Sequence, residues 1–121
     1  LKSHIHILNN GGFDGYEYAL MMHPSSGERG LVNRGGRAAT SVYVEFFGKA
    51  VHSSAPAHGI NALNAMIKLF NNIDMMRPTF HPQNNVNGII EKGGSAANAI
   101  PDYTKAHFSL RAETLIELKK L

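Results

Sequence analysis

Val42, Val44 and Phe46 alternate with Tyr43, Glu45 and Phe47. A period of two sends successive side chains to opposite faces, so this spacing predicts a half-buried strand. Beyond Pro56 the period changes. Ile60, Leu63, Ile67, Phe70 and Ile73, widened by Met66 and Leu69, recur at helical intervals and predict an amphipathic helix that ends before Arg77-Pro78. Val86 to Lys92 and Tyr103 to Ala112 predict two further strands. In the second of these, Ala106, Phe108 and Leu110 point one way, and Lys105, His107, Ser109 and Arg111 the other. Thr114 with Glu117 makes a capping box and predicts a second helix.

Strand, helix, strand, strand, helix is the order of the first five elements of a split β-α-β-β-α-β unit. The expected class is therefore α+β: a ferredoxin-like two-layer sandwich, with two helices on one face of an antiparallel sheet and the last strand lacking. Residues 1–38 follow another pattern. Leu1, Ile5 and Leu8 fall at helical spacing, and Asn9-Asn10-Gly11-Gly12 supplies a stop. Tyr16 to Met22 predicts a short buried strand ended by His23-Pro24, with Phe13, Tyr16 and Tyr18 as core residues. Residues 24 to 39 are rich in glycine and serine and predict a linker, which sets the domain boundary at 38/39. The chain opens at Leu1 without an initiator methionine and stops inside a helical pattern at Leu121, as expected of a piece of a longer protein.

Composition narrows the function classes. The chain has 121 residues and a net charge of +3, but its cations are scattered, with Lys119-Lys120 an isolated adjacent pair. A nucleic-acid surface needs a dense cationic stripe, so no nucleic-acid partner is expected. A run such as Ala19–Met22 is far too short to span a bilayer, and no signal-peptide pattern opens the chain. The absence of cysteine rules out disulfides and thiolate metal sites and fits a cytoplasmic location.

Seven histidines are many for this length. His23 ends the expected strand of the N-terminal region, where a neutral imidazole could bind zinc; the alternative is a turn histidine. His52 sits where a strand runs into Ser53-Ser54-Ala55-Pro56, a loop that could hold its ring as an oxyanion donor or simply contain a loop histidine. Asn98 lies among small residues in Gly93-Gly94-Ser95-Ala96-Ala97-Asn98, where its amide could both donate and accept, or serve as a turn residue. Arg111 offers a planar fork suited to a carboxylate, or a solvated surface charge. His107 shares its face and reads as structural or interfacial. His4 and His6, two apart on a helix, make a poor ligand pair.

Three stretches together resemble one family. Gly48 to Leu63, Gly93-Gly94-Ser95 through Asn98-Ala99-Ile100-Pro101-Asp102, and Ser109-Leu110-Arg111 are similar, in order and spacing, to the lid domain of the zinc aminoacylase and carboxypeptidase G family. Asn10-Gly11-Gly12-Phe13-Asp14 through Ala19-Leu20-Met21-Met22-His23-Pro24 resembles the end of the first half of that family's catalytic domain, closest to the branch of aminobenzoyl-glutamate hydrolase and related dipeptidases.

The resemblance implies a fragment of a two-metal amidohydrolase, with residues 1–38 from its α/β catalytic domain and 39–121 from its dimerisation lid. The parent is expected to be a homodimer that cleaves the amide of N-acyl amino acids or dipeptides. It would use two zinc ions or similar divalent metals, none held by the fragment alone. By the same resemblance His23 is a metal ligand, and His52 reaches the scissile carbonyl in the active site of the dimer mate. Asn98 contacts substrate, and Arg111 grips its carboxylate. One subunit's lid would thus lend all three groups to its neighbour's metals. The remaining ligands and the general-base glutamate are expected outside this stretch. The rival expectation is a free-standing ferredoxin-like module that binds a ligand or a protein partner without catalysis.

Overall fold

A computed structural model describes residues 2–22 and 36–121, and the chain divides into two units, Leu1–Asn33 and Arg34–Leu121. His23 and residues 24–35, where the sequence predicts a linker, lie outside the described residues.

In the first unit, helix α1 spans Lys2–Asn9. It stops as its sequence suggests. The Gly12 N–H donates to the Ile7 carbonyl at 2.9 Å and the Gly11 N–H to the Leu8 carbonyl at 3.2 Å, the paired bonds of a Schellman cap. The strand expected over Tyr16–Met22 is not formed. Tyr16, Tyr18 and Leu20 are 75%, 77% and 92% exposed, and Phe13 is also exposed, so these residues are not core either. A strand exists only by pairing, and the described residues of this unit contain no second strand to pair with.

The second unit is an α+β sandwich. Strand β1 (Ala38–Phe47) leads to a short strand β2 (Val51–His52), helix α2 (Ala62–Met76), strand β3 (Asn85–Lys92), a short strand β4 (Ala99–Ile100), strand β5 (Tyr103–Ala112) and helix α3 (Leu115–Lys120). The main sheet has the order β1-β5-β3, and β5 runs antiparallel to both neighbours. The crossover from β1 through α2 to β3 leaves a gap that β5 fills, as in the ferredoxin-like half-unit.

Alternation decides which side of the sheet is dry. Along β5, Thr104, Ala106, Phe108 and Ala112 are buried under the helices. Met66 of α2 is fully buried among Val86, Ala106 and Phe108, and Val44, Phe46, Leu69, Phe70 and Ile73 complete the core. The Phe70 and Phe108 rings lie 4.9 Å apart in a tilted contact. Helix α2 starts where Asn61 Oδ1 accepts from the N–H groups of Leu63 and Asn64 at 2.9 and 3.1 Å. The buried stripe is turned from the expected one: it centres on Met66, while Ile60 and Ile67 face outward at 62% and 46% exposure. One residue step on a helix rotates by about 100°, enough to move Ile67 off a face built on Met66.

Helix α3 is capped by Thr114, whose Oγ1 accepts from the Glu117 N–H at 3.2 Å. The Glu117 carboxylate does not complete the reciprocal half of a capping box. It takes Lys120 Nζ at 2.6 Å, and that bond holds its pKa below the usual carboxylate value.

Candidate functional site

His52 owes its position to a clamp of backbone bonds. After β1 the chain bends at Gly48, whose N–H donates to the Asp102 carbonyl at 2.6 Å. Lys49 and Ile60 then exchange backbone bonds at 2.9 and 3.1 Å, and the Ala62 N–H donates to the Pro101 carbonyl at 2.9 Å. A Cβ at Gly48 would collide with the Ile60 carbonyl oxygen, so only glycine fits here. The clamp launches β2 against β4, with Val51 opposite Ile100 and His52 opposite Ala99.

This ribbon brings His52 and Asn98 together: the Ser53 N–H donates to the Asn98 carbonyl at 2.9 Å. Gly94, at φ +136°, turns the chain into the Asn98 loop, and a Cβ there would press on Pro101. Beside the ribbon lies an open cleft of about 520 Å³, lined by Ser53, Gly94, Ser95, Ala97 and Pro101 among others. Small side chains leave this space.

The imidazole of His52 is exposed but tethered. Its Nδ1 accepts from the Ser54 backbone N–H at 3.2 Å and lies 2.8 Å from Ser54 Oγ. A backbone N–H can only donate, so Nδ1 carries the lone pair and the ring proton of the neutral form sits on Nε2. No Nε2 partner is found among the described residues. His52 therefore presents an N–H donor to whatever meets the ribbon. The sequence carried a signal for this contact, because a serine two residues from a histidine in a turn is well placed to bond back to it.

Arg111 lies elsewhere. It projects from the face of β5 away from the helices, opposite Ala39 on one side and Asn85 on the other. Ser41, Ser109 and Asn87 form the next row. These neighbours carry no charge, and among the described residues Arg111 makes no ion pair. Its exposed guanidinium stands over a floor of small polar groups.

The two halves of the expected site are far apart in one chain. The ribbon leaves the sheet at the Tyr103 end of β5, where Phe47 pairs with Tyr103. From Tyr103 to Arg111 is eight steps (111 − 103), which at about 3.3 Å per residue places them about 26 Å apart. The structure thus sets His52 and Asn98 in adjoining positions of one ribbon, at the end of β5 away from Arg111.

Between them the open face is filled by a polar and aromatic network. The His107 ring stacks on Tyr43 with centroids 4.4 Å apart, and its Nδ1 is 3.8 Å from Glu91 Oε1. Lys105 pairs with the same carboxylate at 3.3 Å. Tyr103 donates its hydroxyl to Glu45 Oε1 at 2.6 Å, and this bond raises the phenol pKa above its ordinary value. His107 is thereby a bracing residue of the sheet face.

The described residues gather no group of three or more histidine, aspartate or glutamate side chains that fits a metal ion. No helix among them is long and apolar enough to cross a membrane.

The sequence and the fold both have known relatives. Xaa-Arg dipeptidase of Homo sapiens is 34% identical over 118 residues, and that of Mus musculus 33% identical over 118 residues. The alignments take in 97% of this chain but 27% of each relative, so the chain spans about a quarter of their length. A solved structure of a protein from methicillin resistant Staphylococcus aureus, assigned as an aminohydrolase, superposes with a TM-score of 0.58 at 18% identity, covering 69% of this chain and 24% of that one. At that identity the likeness establishes the shared fold. Residues 34–121 match the model of the peptidase dimerisation domain, and the chain belongs to that family.

Proposed function

We propose that this domain is the lid and dimerisation module of a two-zinc amidohydrolase that cleaves the amide bond of dipeptides or N-acyl amino acids, and that each active site is built from two lids. The observation that carries this reading is the separation just described. The Tyr103–Arg111 stretch of β5 alone spans about 26 Å, with the ribbon beyond its Tyr103 end, whereas a dipeptide backbone extends at most about 7 Å, so one such substrate is not expected to reach both the ribbon and Arg111 of one chain. A two-fold axis resolves the conflict, because it can bring the His52–Asn98 ribbon of one subunit to the Arg111 face of the other. This replaces the simpler expectation that one lid lends all three groups.

In this arrangement His52 Nε2–H donates to the oxygen that becomes negative as the carbonyl is attacked. The Asn98 amide, beside it on the ribbon, holds the substrate's own amide or carbonyl. The neighbouring cleft takes the acyl side. From the partner's sheet, Arg111 clamps the terminal carboxylate with two parallel N–H bonds, a role supported by its making no ion pair among the described residues. The relatives' substrates, dipeptides ending in arginine, carry such a carboxylate.

The metals of this reading would be held by residues outside those described, and the steps given to this domain do not run through them. We assign residues 1–38 to the end of the catalytic domain, with His23 as a metal ligand on the strength of the sequence resemblance. A cytoplasmic location rests on the lack of cysteine.

The test uses the full-length parent. His52→Ala removes one oxyanion donor and should lower kcat by about 100- to 1,000-fold while bound zinc is unchanged. Arg111→Ala should mainly raise KM, by about 10- to 100-fold, for the loss of charged hydrogen bonds. Wild-type kcat in the first variant, or wild-type KM in the second, defeats the assigned role.

A further inference from the structure

We infer that Asn85 is a second binding residue of the carboxylate site, donating a side-chain N–H to the substrate's terminal carboxylate beside Arg111. The inference rests on the reading of Arg111 as the carboxylate clamp and deepens it.

Three features of the structure carry it. The register of β3 against β5 sets Asn85 directly opposite Arg111, and both residues are exposed on the sheet face away from the helices. Directly opposed residues of an antiparallel pair have Cβ atoms about 4.5–5.5 Å apart on one face, so the amide stands beside the guanidinium arm. Neither side chain is engaged elsewhere. Among the described residues the Asn85 amide makes no hydrogen bond and Arg111 no ion pair. The other side chains of their row and the next, Ala39, Ser41, Ser109 and Asn87, include no carboxylate to take these donors. Finally, the start of β3 is pinned although β3 is an edge strand. The Val86 carbonyl accepts from Arg77 Nη1 at 2.8 Å, Arg77 Nε is held by Asp74 Oδ1 at 2.6 Å, and the Val86 side chain is buried in the core. Asn85 is therefore presented from a fixed backbone.

The chemistry of the ligand leaves room for it. A carboxylate has about four lone-pair sites, and a bidentate guanidinium occupies two of them. A neutral amide alongside can donate to a third without bringing a charge that would pair with Arg111. Hydrogen bonds to a charged group are stronger than those to a neutral one, so Asn85 adds to the preference for a carboxylate over a carboxamide.

The experiment uses full-length enzyme and one dipeptide in two forms, with a free C-terminal carboxylate and with a C-terminal carboxamide. In Asn85→Ala, and in the similarly sized Asn85→Leu, KM for the carboxylate form should rise about 10-fold with kcat little changed. The preference for the carboxylate form should fall several-fold in both. The same Asn85→Ala change made in Arg111→Ala enzyme should lower the remaining preference further, because Asn85 touches the carboxylate itself. Asn87→Ala, one row away, should keep the wild-type preference. Wild-type KM in both Asn85 variants, or equal losses on the two forms, overturns the inference. So does an Asn85→Ala change with no further effect in Arg111→Ala enzyme, which would leave Asn85 acting only through Arg111, or an Asn87→Ala variant that matches Asn85→Ala. Wild-type KM in Arg111→Ala would instead remove the clamp reading, and with it the site that Asn85 serves.

Discussion

Gly48→Ala is the perturbation that most directly loads the framework holding His52. The added Cβ overlaps the Ile60 carbonyl oxygen and lies 3.1 Å from the Ala62 nitrogen. Both obstacles are backbone, and both are already engaged: Ile60 exchanges bonds with Lys49, and the Ala62 N–H bonds the Pro101 carbonyl. Neither can swing aside as a side-chain tip would. Overpacking of this kind costs about 1–3 kcal/mol. If the Lys49–Ile60 bridge opens, two neutral hydrogen bonds add about 1 kcal/mol each. A total of about 3–5 kcal/mol is a large share of the roughly 5–15 kcal/mol that holds a domain folded. With a urea slope of about 2 kcal/mol/M, the midpoint of unfolding should drop by about 1.5–2.5 M. Urea titration followed by circular dichroism reads this directly. Two control variants calibrate it. At Gly59 the nearest obstacle is the Val51 Cγ2 methyl at 2.5 Å, a side-chain tip that can yield, so Gly59→Ala should cost less. At Gly36 no atom lies within 4 Å of the new Cβ, so Gly36→Ala should be neutral or slightly stabilising. Equal midpoints for Gly48→Ala and Gly36→Ala would refute the claim that backbone crowding sets this bend. In the full-length enzyme a shift of the ribbon by about 1 Å would also lower kcat by up to about 100-fold.

Two other expectations concern the core and the open sheet face. Met66 is fully buried, so Met66→Ala should cost about 2–5 kcal/mol in the same urea titration, and a loss below about 1 kcal/mol would mean the core collapses to fill the space. The raised pKa of Tyr103 comes first from its hydrogen bond to Glu45, so Glu45→Gln should bring the phenol back toward 10.0 in an ultraviolet titration. The sign follows from linkage. A folded pKa above the unfolded value contributes stability that is present below pH 10 and lost as pH rises through the folded value, so the wild type should lose more stability than Glu45→Gln on alkaline titration.

The sheet was readable where alternation was long. Tyr103–Ala112 was predicted with the bounds that β5 has, because ten residues of period two leave little freedom. The ribbon of β2 and β4 was invisible for the opposite reason: two residues a side show no period. Ile67 and Met66 both fit a helical stripe, and only packing on Val86, Ala106 and Phe108 chose Met66. Tyr16–Met22 was apolar enough for a strand, but strand formation needs a partner that sequence-local reasoning cannot supply. The candidate site was legible as residue types and only partly as geometry. Asn98 and His52 stand 46 positions apart (98 − 52) yet lie on one ribbon, joined by the bond from the Ser53 N–H to the Asn98 carbonyl, whereas Arg111, closer in sequence to Asn98, lies along the far reach of β5. Sequence spacing does not report which way a strand carries its residues from a loop.

The central claim is that an active site takes its imidazole from one lid and its guanidinium from the other. Co-expression of His52→Ala and Arg111→Ala chains with different affinity tags, followed by purification through both tags, yields the mixed dimer. In it the intact His52 of one subunit faces the intact Arg111 of its partner in one site, while the other site lacks both. The mixed dimer should therefore recover about half of wild-type activity from two crippled parents. Activity no higher than the mean of the two parent homodimers would show that His52 and Arg111 serve a site from the same chain, and the two-lid account would fall.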